Sequence, residues 1–386
     1  YEYEADGYAC QNAEKLGRVS QPTQALMELA DYRQRYAQYR RDPDLQALHA
    51  QAPFICVWDD HEFADDTWRD GAEEHDATMQ GPYSLRRAAA TTAYHEWLPI
   101  RSIEPEKIYR SFDFGQILSL HMLDTRVIGR DQQLQFESYQ DASGALDLAK
   151  LKRDAHAPHR QMLGKEQFAW LEQSVTQSRA RWQVLGQQVL MARMEFPLPV
   201  VMGETDRFSF ASARASSRQA NAAPLSPQQK AWLHAPRVPC YLDSWDGYQA
   251  ERERVFSLMQ RQQKNLVVLA GDTHNAWASD LYDESGRRVG VEFATAAVSS
   301  PGLECSYPDH SPVQVATCMI DMLPGLRFAQ TSLRGYMVIH ANQNEIRCDW
   351  RFVNTVQQHE FQAETKHSMR VLAGQKKLQE VINSEP

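Results

Sequence analysis

Two short stretches hold the residue types that metal-assisted hydrolysis requires. Trp58-Asp59-Asp60-His61-Glu62 places three acids and a histidine within four positions, directly after an apolar run at 53–58. Gly271-Asp272-Thr273-His274-Asn275 repeats that grammar after the apolar run 265–270, with Asp and His two residues apart. Carboxylate oxygen and imidazole nitrogen at that spacing can face one cation. A third apolar run, 117–123, leads into Asp124-Thr125-Arg126 and adds a guanidinium suited to bidentate phosphate binding. Any one of these ends alone reads equally well as a solvated acidic turn. Three together point to a metal-assisted phosphoryl site, because gathering like charges at buried strand ends is costly without a cation to balance them.

The elements that must position these residues alternate between strand and helix. Apolar runs at 53–58, 109–114, 117–123, 182–190, 265–270 and 291–298 read as strands, with a turn at Gly115. Leu26, Leu29, Tyr32, Tyr36 and Tyr39 recur at helical spacing and read as a core-facing stripe, with Arg33, Arg35, Arg40 and Arg41 on solvated faces. Further helices are expected at 44–49, 83–98, from 164 and up to 263. Polar stretches at 64–81, 129–160 and 195–233 read as loops beside the site, the last inserted and mobile. Gln187 and Gln188, inside an apolar run, need buried partners, and one or the other is expected to point into the site. A late antiparallel pair, 335–340 and 346–352, and a charged helix from Phe361 complete the chain. The ends of strands in such a layered α/β sheet are where ligands gather.

Bulk properties set outer limits. A chain of 386 residues can bury a large core, and 42% hydrophobic residues exclude wholesale disorder. The net charge of -9 argues against a general nucleic-acid binder, and no apolar run approaches the roughly 20 residues of a membrane span. The six cysteines form no CxxC pair, so a thiolate zinc site is not expected, and only Cys305 and Cys318 are spaced for a local disulfide. Trp245 and Tyr248, in Trp245-Asp246-Gly247-Tyr248, read as packing residues.

Taken in order, Trp58-Asp59-Asp60-His61-Glu62, Leu123-Asp124-Thr125-Arg126, Trp245-Asp246-Gly247-Tyr248, Gly271-Asp272-Thr273-His274, Ser299-Ser300-Pro301-Gly302-Leu303-Glu304 and Trp350-Arg351-Phe352-Val353 resemble the PhoD-like alkaline phosphatase family along essentially the whole chain. The resemblance implies a calcineurin-like metallophosphatase sandwich of two mixed β-sheets flanked by helices. It assigns residues 1–360 to a catalytic domain and 361–386 to a helical tail. It further implies phosphate mono- and diester substrates, a ferric ion with calcium, and an exported, periplasmic or secreted protein. Tyr1-Glu2-Tyr3-Glu4 falls on the end of a family segment whose tyrosine binds iron, which makes Tyr1 a ligand. By the same resemblance a first strand with an Asp and a Cys would lie upstream of this sequence.

The site roles follow. Asp272 and His274 are expected to bind the iron-side cation with Tyr1, and Asp60 the calcium-side cation. His61 is expected to protonate the leaving oxygen, and Arg126 to hold the non-bridging phosphate oxygens. Asp59, Asp124 and Asn275 would orient these groups. A hydroxide between the two cations would then attack phosphorus in line, with inversion and without a phospho-enzyme. Two other readings remain open: a phospholipase D-like diesterase, and a non-catalytic phosphate- or metal-binding relative.

Overall fold

The computed structural model describes residues 2–4, 13–101, 104–219 and 223–381. Its main layer begins with β1 (Arg110–Phe114) and β2 (Leu118–Met122), an antiparallel hairpin turned by Gly115 at φ 58°. The strand β3 (Trp182–Gly186) follows, then a two-stranded ribbon of β4 (Glu195–Pro197) and β5 (Arg237–Pro239). Next come β6 (Asn265–Ala270), β7 (Ala276–Tyr282), β8 (Arg288–Ala294) and β9 (Leu326–Gln330). The seven-stranded sheet has the order β1-β2-β3-β6-β8-β7-β9. Its centre, β2-β3-β6-β8, is parallel, so four strands end at the same edge. The strand β7 runs antiparallel to both its neighbours, β8 and β9.

A second sheet of β10 (Gly335–Ala341), β11 (Glu345–Val353), β12 (Ala363–Leu372) and β13 (Leu378–Glu380) packs against the first. The layer between them is apolar: Val184, Val267, Val291 and Phe293 from one side meet Ile346, Cys348, Trp350, Phe352 and Val371 from the other. Helices Gly164–Gln177 and Gln249–Arg261 cover the opposite face, where Leu171, Val175, Val255 and Phe256 pack on Leu185, Leu266 and Val268. Trp245 and Tyr248 are fully buried in that layer, as their packing role requires.

Several expectations are corrected. The second sheet is wholly antiparallel rather than mixed. The segment from Phe361 is not a helical tail: Ala363–Leu372 pairs along β11, and cross-strand partners override the helix preference of its Glu and Lys residues. Residues 382–386 of that tail lie outside the described residues. The run 53–58 takes no regular structure and joins no ladder among the described residues; side chains take its carbonyls, Arg110 that of Cys56 at 2.7 Å and Gln188 that of Trp58 at 2.6 Å. The expected strand 182–190 stops at Gly186. The stretch 195–233 contains helices Arg207–Ser217 and Pro227–His234, the first capped by Asp206, and 129–160 contains helix Leu148–Ala155, capped by Asp147. Helix Pro312–Met322 and strands β7 and β9 were not expected at all. Cys305 and Cys318 are both free thiols.

At the amino-terminal side, helix Leu29–Tyr39 packs on helix Tyr83–Trp97 through Tyr32, Tyr36, Ala90 and Tyr94, with Trp58 and Phe63 between them. The stripe does face a core, although Tyr39 at its end is exposed. Arg35 is not solvated: it is buried and donates to the carbonyls of Tyr3, Gln21 and Pro22 in this irregular region.

A candidate metal and phosphate site

The parallel strands deliver their ends to one place because a few buried side chains fasten the turns. Asp124 ends β2 and closes its turn, accepting from the backbone N–H groups of Arg126 and Val127, both at 2.8 Å, and from Trp58 Nε1 at 3.0 Å. It therefore orients Arg126 through the backbone rather than through the guanidinium. Gln188, just beyond β3, ties three segments together. Its amide donates to the carbonyls of Trp58 and Leu123, and its oxygen accepts from Thr125 N at 3.0 Å and Thr125 Oγ1 at 2.6 Å. Gln187 accepts from Trp245 Nε1. The glutamines thus meet their need for partners by building the frame of the site.

The turn after β6 is strained where the chemistry lies. Asp272 and His274 both hold positive φ, 65° and 59°. Non-glycine residues in this region cost of order 1–3 kcal/mol each, and such geometry persists when the surroundings impose it. After Trp58 the chain makes a single short turn, Asp60–Glu62, in which Glu62 accepts from Asp59 N at 2.6 Å. Glu62 is therefore a turn closer, and burial raises its carboxyl to about 7.

Carboxylates from these ends converge on one buried guanidinium. Arg126 has no exposed side-chain surface. It lies 2.7 Å from Asp59, 3.5 Å from Asp60, 3.3 Å from Asp66, 3.9 Å from Asp243 and 2.5 Å from Asp272. Burial disfavours its charge, but Asp60, Asp59, Asp272 and Asp243 outweigh that and hold its pKa well above the ordinary value. The carboxylates divide. Burial pushes Asp272 and Asp59 up despite Arg126, whereas Asp60, also buried, falls to about 2 because Arg126, His61 and the backbone of Asp66 favour its ionised form. Asp66 rises to about 7 through burial and the neighbouring Asp243. The site thus gathers more carboxyl groups than one arginine keeps ionised, and a bound cation would favour their ionised forms.

Asp59, Asp60 and Asp272 each present an oxygen within 4.8 Å of the others, and Asp60, His61 and Asp65 form a second such group. The first set is all hard oxygen, suited to calcium-like cations, and the second adds an imidazole nitrogen. The carboxylate oxygens of these groups are donors that could hold a metal ion. His274 belongs to neither group among the described residues. It is near enough for His61, Asp60 and Asp59 to influence it, and burial lowers its pKa. Tyr1 lies outside the described residues. Asn275 bridges the carbonyl of Thr273 and the N–H of Leu303.

His61 sits beside the carboxylate cluster with Nδ1 2.7 Å from Glu2 and Nε2 3.4 Å from the Tyr3 hydroxyl. Burial works against its charge, yet the bond to Glu2 and the fields of Asp60 and Glu2 raise its pKa to about 10. Glu2, Asp65, Asp66 and Asp243 are the site residues that the sequence did not single out. Asp65 and Asp66 stand in the stretch read as a loop, and Asp243 precedes the Trp-Asp-Gly-Tyr motif. An acid four to six positions after a metal-type cluster was the available signal. Nothing local marks Glu2.

The parallel strands of a mixed α/β sheet thus bring acids, histidine and arginine to one edge. The profile of the PhoD-like phosphatase family matches residues 1–350, and the chain belongs to that family. It is 33% identical over 313 residues to the alkaline phosphatase D of Bacillus subtilis (strain 168), a match covering 78% of this chain and 45% of that protein. The chain thus spans less than half the length of this relative. A solved structure of PhoD superposes over the whole chain and 65% of its own length, with a TM-score of 0.73 and 27% identity.

Proposed function

We propose that this protein hydrolyses phosphate esters with metal assistance. The carrying observation is the convergence of Asp59, Asp60 and Asp272 on one point beside Arg126 and His61. The apolar layer between the two sheets supports the narrower reading, a calcineurin-like metallophosphatase sandwich. Asp60, Asp272, His274 and Tyr1 are the proposed ligands, and ferric iron with calcium the proposed pair. Bound there, such cations supply Lewis-acid polarisation of the phosphoryl group and acidify a coordinated water.

The chain's own residues do the rest. Asp124 and Gln188 fix the turns that carry the ligands. Arg126 holds Asp59 and Asp272 in place, and its buried positive charge stabilises negative charge growing on the equatorial oxygens. His61, kept protonated by Glu2, gives its proton to the departing oxygen. No side chain is required as a nucleophile, so hydrolysis of a chiral phosphate should invert configuration at phosphorus. An exported location is part of the same reading.

The experiment compares a monoester, a diester and a phospholipid with wild-type protein and His61→Ala. An acid role predicts a loss of about 10²-fold or more on an alkyl ester and little on p-nitrophenyl phosphate, whose leaving group needs no proton. Equal losses on both would remove His61 from that role. Turnover of phospholipid alone would favour the phospholipase D-like reading, and no turnover of any ester by folded, metal-replete protein would favour a binding role.

A further inference from the structure

The loop that follows β8 fastens to the strained turn after β6, and its bonds lead to His274. The carbonyl of Pro301 lies 3.1 Å from His274 Nδ1. A carbonyl only accepts, so Nδ1 carries the proton in the neutral ring and the lone pair resides on Nε2. A metal-ligating histidine is commonly set in this way, by a partner on its other nitrogen. The question is what holds Pro301.

The next residues answer it. Gly302 N donates to Glu304 Oε2 at 3.0 Å, and Leu303 N to Asn275 Oδ1 at 3.0 Å. Glu304 is held in turn by Arg334, whose Nη2 donates to its other oxygen and whose Nη1 donates to the carbonyl of Ser332. Arg334 and Glu304 are 14% and 25% exposed, so solvent screens this pair only in part. The fit is close: a Cβ on Gly302 would stand 2.6 Å from both Asn275 Oδ1 and the Thr331 carbonyl. The second sheet begins at Gly335, so the tether runs from its first strand to the turn bearing His274.

We infer that Glu304 and Arg334 are positioning residues that act through the Gly302–Pro301 backbone to fix the ring state and direction of His274. The inference rests on the reading of His274 as a metal ligand. Neither residue needs to touch substrate or cation. Their effect is to keep Pro301 where it selects the Nδ1–H form.

Two measurements on metal-stripped protein test it. Cobalt(II) titration calorimetry on wild type, Glu304→Ala, His274→Ala and the double variant forms a cycle. Glu304→Ala, in protein shown to remain folded, should weaken the site by about tenfold, and should add nothing once His274 is gone. Nitrogen-15 spectra of the His274 ring should show the Nδ1–H form in wild type and a growing Nε2–H form in Glu304→Ala. Equal losses with and without His274, or an unchanged ring state in Glu304→Ala, overturn the tether. Wild-type cobalt affinity in His274→Ala would instead overturn the ligand reading, and the ring spectra would then decide the tether alone.

Discussion

Glu2 reaches His61 across 59 positions, and this contact, with the field of Asp60, keeps the imidazole charged against its burial. With the folded pKa near 10 and the ordinary value at 6.5, the charged ring is worth stability that is fully present below 6.5 and is lost as pH rises through 10. Glu2→Gln removes a cause that raises the pKa. The variant should lose less stability between pH 7 and 10 than wild type in urea titrations. Its kcat/KM profile should also bend down at lower pH on the alkaline side. An unmoved alkaline limb would mean that Glu2 does not hold the proton on His61. The sequence revealed Asp59, Asp60, His61 and Asp272 because each follows an apolar run directly. It concealed Glu2 and Asp243, whose roles arise only when distant segments meet, and it could not show that Arg126 is enclosed by acids rather than open to solvent.

Among the elements, Gln188 does most to bring separate strand ends to one edge. Its amide serves Trp58, Leu123 and Thr125 with no exposed route to water. Gln188→Ala should cost about 3 kcal/mol in equilibrium unfolding, since several buried backbone groups lose their partner together. Gln188→Glu should cost at least as much, because a carboxylate would face two carbonyls. A change below about 0.5 kcal/mol in either would show that the ends are held by other means. The β1–β2 hairpin, β6 and the β10–β11 pair were legible because their apolar periods and turns agree. The run 53–58 misled because an apolar stretch has no sign of whether a ladder partner awaits it. The segment 363–372 misled for a different reason: Glu364, Thr365 and Lys366 are all exposed, so the strand shows no apolar alternation there although its partner is the preceding strand.

For the molecule as a whole, the layered α/β class followed from alternating patterns, but the size and direction of the second sheet did not. Its hold on the first is concentrated in Trp350, which is fully buried between Phe293 and Phe328 and donates to the carbonyl of Ala294 at 3.0 Å. Trp350→Ala should lower unfolding free energy by about 3–5 kcal/mol, read from denaturant midpoints at unchanged slope. Because β10 follows Arg334 directly, loosening that sheet should also weaken metal binding at the far edge. The central claim is that ester hydrolysis depends on cations held by the convergent acids. Its most direct test is hydrolysis of p-nitrophenyl phosphate by folded protein before chelation, after chelation, and after return of iron and calcium. Loss and recovery in wild type, with no recovery in Asp60→Ala or Asp272→Ala, is the predicted result. Activity that survives chelation intact, or returns fully without either carboxylate, would contradict the account.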